Sequence, residues 1–117
     1  MRQSQDVGLH EAAAAHLTED TFAEALVASQ GMTMVSFWAE RSRPSRALAP
    51  VLEAVAQAAA ARVRLVDVNV DESPALAARY SVGAVPTILF VKGGKVVDRV
   101  VGAASKALLE SILKARA

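Results

Sequence analysis

The sequence predicts an α/β domain: a central mixed β-sheet flanked by helices on both faces. Two apolar, β-branched runs, 32–39 and 63–70, alternate with stretches whose apolar residues recur at helical spacing. Two further β-runs, 87–91 and 96–101, enclose Lys92-Gly93-Gly94-Lys95, a hairpin signal that adds antiparallel strands to a parallel portion. At 117 residues the chain has room for one domain and not for two of full size.

Residues 1–11 are polar and mixed in charge and read as a flexible N-terminal extension; residues 12–117 read as the domain. The alanines at 12–15 suit a helix or a short strand reaching His16–Leu17. Thr18 offers an N-cap hydroxyl, with Glu19 and Asp20 in the first turn where the helix dipole favours acids. Phe22, Ala25, Leu26 and Ser29 continue that helix, and Gly31 closes it. The run 32–39 is short and almost wholly apolar, as a strand buried on both faces must be. After a polar loop, Pro44 suits a helix start. Leu48, Val51, Leu52 and Val55 mark the buried stripe of a helix running to about Ala61, with Pro50 inside it as a kink. The valine-rich run 63–70 is the next strand. Ser73-Pro74 caps a short helix ending near Tyr80, and Ser105 caps a last helix with Leu108, Leu109, Ile112 and Leu113 inward.

Composition narrows the chemistry. Thirteen basic and twelve acidic residues give a net charge of +1, so no global field draws the protein to nucleic acid or to a membrane. No apolar stretch is long enough to span a bilayer, and the first residues lack the pattern of a secretory signal, so a cytoplasmic location is expected. Aromatics are only 4%, which points to a core of Val, Leu, Ile and Ala. There is no cysteine, which removes disulfides, thiolate ligands and thiol nucleophiles. The two histidines, His10 and His16, are too few for a His-based metal site; no metal and no cofactor are expected. Asp67, Asp71 and Glu72 read as strand-end and cap residues, not as metal ligands.

Seven words stand in order along the chain. They begin with His16-Leu17-Thr18-Glu19-Asp20, Val35-Ser36-Phe37-Trp38-Ala39-Glu40, Leu48-Ala49-Pro50-Val51-Leu52-Glu53 and Val68-Asn69-Val70-Asp71. Tyr80-Ser81-Val82-Gly83-Ala84-Val85-Pro86-Thr87, Gly93-Gly94 and Val101-Gly102-Ala103 follow, and together, in this order, the words resemble the thioredoxin family. The resemblance covers His16 to the C-terminus and implies the thioredoxin fold. It breaks where the family carries W-C-G-P-C: this chain has Arg41-Ser42-Arg43-Pro44-Ser45, with serine at both cysteine positions. The family reaction needs one thiolate to attack a disulfide sulfur and a second thiol to resolve the mixed disulfide. A serine hydroxyl is far less acidic and forms no such intermediate, so no catalytic residue of that reaction remains. Ser36 stands where the family often has a buried aspartate and cannot act as a carboxylate base.

What the resemblance leaves is a groove made of Trp38, Arg41, Ser42, Arg43, Pro44, Val85, Pro86, Gly102 and Ala103. Pro86 aligns with the family's cis-proline. The backbone before that proline pairs with an extended substrate segment in the family, a use that needs no thiol. The expected partner is therefore an extended protein segment, with a small anion near Arg41 and Arg43 as a second candidate. Ser42 has no nearby His in sequence and no identifiable base to make it a nucleophile and reads as a helix cap, and Trp38 reads as packing beneath the loop 41–45. Three functions stay open: a redox-inactive binding module; a thiol-disulfide oxidoreductase carried as a Cys-to-Ser double variant at positions 42 and 45; and an assembly factor that docks through its N-terminal extension.

Overall fold

The computed structural model describes residues 15–18, 21–22, 31–59 and 62–116. The extension 1–11 and most of the first expected helix, including Ala25, Leu26 and Ser29, lie outside them. The described residues form five strands: Ala15–His16 (β1), Met32–Trp38 (β2), Val63–Asn69 (β3), Thr87–Lys92 (β4) and Lys95–Val101 (β5). The helices are Arg43–Ala59 (α1), Pro74–Arg79 (α2) and Lys106–Arg116 (α3). The strands make one sheet in the order β1-β3-β2-β4-β5. β3 runs parallel to β1 and β2, and β4 antiparallel to β2 and β5. This is the mixed sheet that the sequence predicts. A helical crossover returns the chain in the same direction from β2 to β3, whereas a tight turn reverses it between β4 and β5. That turn holds Gly93 and Gly94 at φ +61° and +78°, two successive left-handed positions that glycine adopts without a Cβ penalty.

Alternation along β2 splits the core between the two faces of the sheet. Met32 and Met34 pack with Leu48, Leu52, Val55, Leu109 and Leu113 beneath α1 and α3. Val35 and Phe37 pack on the other face with Phe22, Val66, Val68 and Leu76. β2 is buried on both faces because it lies in the middle of the sheet, which explains its almost unbroken apolar run. The core is not purely aliphatic: Phe22, Phe37 and Phe90 are all fully buried, and burial of each stabilises the fold by roughly 1.5–3 kcal/mol.

Helix starts and faces depart from expectation in three places. Ser105 caps as predicted, its Oγ accepting the Leu108 N–H at 3.1 Å. Ser73 occupies the cap position of α2 but makes no side-chain capping bond. The Asn69 side chain organises that turn instead, its Oδ1 accepting the N–H groups of Asp71 and Glu72. At Thr18 the roles are reversed: the Thr21 hydroxyl accepts the Thr18 N–H at 3.1 Å, while the Thr18 carbonyl receives the N–H groups of Thr21 and Phe22. Leu108, expected on the inner face of α3, is 44% exposed. The buried stripe runs through Leu109 and Leu113, with Ile112 packed against it, and one residue back from Leu109 is a rotation of about 100° towards solvent. Pro50 lies inside α1 on its exposed side and has no N–H to give the Arg46 carbonyl. No described helix is long and apolar enough to cross a membrane.

Candidate functional site

The site is built where β2 ends and α1 begins. Ala39 accepts the Ser42 N–H at 3.1 Å, which turns the chain back so that α1 can start. Ser42 is the N-cap: its carbonyl accepts the Arg46 N–H at 3.1 Å, and its Oγ accepts the Ser45 N–H at 3.2 Å. Pro44 in the first turn costs no hydrogen bond, because N–H groups there have no helical partner. Ser45 lies one turn in and is only 4% exposed, and its Oγ has no hydrogen-bond partner.

No acidic side chain occupies the first turn of α1. Around it stand Arg41, Arg43 and Arg46, all exposed. Arg41 reaches Asp71 at 3.2 Å, an ion pair whose side chains are 67% and 52% exposed, so water and salt screen it strongly. Arg46 donates to the Glu40 carbonyl. Arg43 makes no such bond to a described residue and is exposed.

Across from this turn lies the segment that precedes β4. The Val85–Pro86 peptide bond is cis. Thr87 Oγ1 donates to the Ala84 carbonyl at 2.7 Å, and the Gly102 N–H donates to the Pro86 carbonyl at 2.8 Å. Neither backbone group of Val85 is engaged by a described residue. Between the two segments is a groove of about 440 Å³ lined by Arg41, Ser42, Arg43, Pro44, Val70, Val82, Gly83, Ala84 and Val85.

Five of the nine groove residues named from sequence thus line one concavity: Arg41, Ser42, Arg43, Pro44 and Val85. Pro86 is buried just behind it, with Gly102 tied to its carbonyl. Ala103 is exposed outside it. Trp38 does not line the groove. It is half-buried on the sheet side of α1, where its Nε1 donates to Asp67 Oδ1 at 2.9 Å. Val70 and Val82–Ala84 were missed as lining, although they lie inside the words that carry the resemblance. Among the described residues no His, Asp, Glu or Lys side chain is hydrogen-bonded to the Ser42 hydroxyl, which accepts a backbone N–H and stabilises the helix start.

The whole stretch from 13 to 115 matches the family model described as thioredoxin. Among curated proteins, "Thioredoxin 1" of Nostoc sp. is 39% identical over 102 residues, covering 87% of this chain and 95% of that relative. "Thioredoxin 1" of Synechococcus elongatus is 39% identical over 100 residues, covering 86% and 94%. The "Thioredoxin" of Streptomyces clavuligerus is 40% identical over 94 residues, covering 80% and 87%.

Proposed function

This chain belongs to the thioredoxin family, and on that premise we propose that it is a redox-inactive member that holds an extended protein segment in the groove between Arg41–Pro44 and Val82–Val85. The observation that carries the reading is the backbone of Val85 beside that groove, which no described residue engages. An unpaired N–H and C=O at a rigid turn are the donors and acceptors that strand addition uses. Arg41 and Arg43 line the opposite wall, which favours a segment bearing acidic side chains. With no cysteine in the chain, such a segment is held and not reduced. Nothing in this role needs an oxidising compartment, in keeping with the expected cytoplasmic location.

The test is fluorescence anisotropy with a labelled, thiol-free hexapeptide alternating glutamate and valine. Saturable binding that falls roughly tenfold or more in Arg43→Glu supports the reading, a loss of about 1.4 kcal/mol. Binding that is absent, or indifferent to Arg43→Glu in a folded protein, removes it.

A second reading is supported by the intact frame around the site: a thiol-disulfide oxidoreductase carried as a Cys-to-Ser double variant at 42 and 45. It requires cysteine codons at those positions in the source gene. Serine codons there end it.

A further inference from the structure

Beneath the first turns of α1, between the helix and strands β2 and β3, lies a second cavity of about 230 Å³. Two strands bring its polar floor together: Ser36 and Asp67 are direct partners in the β2–β3 register, so their side chains stand together on the face that α1 covers. From the helix, Ser45 and Glu53 face the same space, two turns apart. Ala49, Leu52 and Leu65 supply an apolar wall.

The cavity is rich in acceptors. Trp38 Nε1 is engaged with Asp67, and one guanidinium nitrogen of Arg46 with the Glu40 carbonyl. Glu53 brings a carboxylate with about four lone-pair sites and no hydrogen bond to a described residue, and Asp67 brings a second that also accepts from Trp38. The Ser45 hydroxyl is 4% exposed and without any partner. An unsatisfied buried hydroxyl is costly, of the order that a polar ligand would recover. The lining carries two acids against one arginine, and the Trp38 indole can face a cation. Exposed Arg46 and Ala49 flank the way in.

We propose that this cavity binds a small primary alkylammonium group. Its N–H donors meet Asp67, Glu53 and the Ser45 hydroxyl, and its carbon chain lies against Ala49, Leu52 and Leu65. A volume of about 230 Å³ equals roughly seven or eight waters at about 30 Å³ each, ample for a four-carbon amine. The site is separate from the groove and stands whether or not the groove binds a segment.

Trp38 is the sole tryptophan of the chain and lines the cavity, so its emission reports occupancy. The full chain is titrated with n-butylammonium chloride at constant ionic strength, with sodium chloride as the matched control. The expected result is a saturable change with a Kd on the order of 1 mM, weakened roughly tenfold in Ser45→Ala and in Glu53→Gln. Both replacements keep the fold by circular dichroism, because neither residue engages in a described hydrogen bond through its side chain. A parallel titration with Nα-acetyl-lysine N-methylamide separates the sources of the group. Tighter binding of the lysine derivative assigns the site to a partner's lysine side chain, and tighter binding of butylammonium assigns it to a free amine. No saturable change with either amine, a response equal to that of sodium chloride, or an affinity unmoved by both substitutions overturns the proposal.

Discussion

The hydroxyl of Ser42 accepts the backbone N–H of Ser45 at 3.2 Å. The two positions that hold cysteines in the family motif are thereby joined as helix cap and capped residue. One serine satisfies an otherwise free first-turn N–H, while the other is enclosed with an unpartnered hydroxyl. Identical residues three positions apart therefore predict opposite effects on stability.

Ser42→Ala removes the cap and leaves the Ser45 N–H without its acceptor. The expected loss is about 1 kcal/mol in urea-induced unfolding, with the slope unchanged. An unaltered midpoint would show that water caps α1 equally well.

Ser45→Ala removes a buried oxygen that has no partner. Stability is expected to hold or to rise by up to about 1 kcal/mol, because the lost hydroxyl made no bond and its desolvation is relieved. A fall of more than about 1 kcal/mol would mean that an internal water holds that hydroxyl in solution.

Trp38→Phe keeps most of the ring and deletes the donor to Asp67. With that half-buried carboxylate deprived of a bond at 2.9 Å, a loss of about 1–3 kcal/mol is expected from thermal or urea unfolding. Adding Asp67→Asn to Trp38→Phe should cost less than the sum of the two single changes, since both remove the same bond. Additive losses would contradict the coupling.

Much of the fold was legible because β2 and β3 read as buried strands and Gly93-Gly94 as a reversal. Those signals are local, and the sheet they specify follows from connection rules. Leu108 was misplaced because neighbouring apolar residues at 108, 109, 112 and 113 fit two helix faces, and only the tertiary contact chooses between them. Ser73 was misread because cap composition shows which residue is able to bond, not whether its side chain turns to the first helical N–H groups; the side-chain bonds of this turn come from Asn69 to Asp71 and Glu72, ahead of the helix. At the site, Arg41–Pro44 and Val85 were legible from the words around them, and the groove joins them. The cavity under α1 was not legible. It depends on Ser36 standing beside Asp67 across two strands, a register that periodicity within either strand does not fix.

The most direct test of the central claim installs Ser42→Cys and Ser45→Cys together and follows insulin disulfide reduction with a recycling reductase. The claim is that this family frame has turned from thiol exchange to binding. Ser36 offers no carboxylate base under the installed thiols, and Arg41 and Arg43 reshape the surface that meets a substrate disulfide. The predicted result is a folded double variant with little or no turnover. Vigorous reduction would contradict it and would identify the serines as the sole change that separates this chain from a working oxidoreductase.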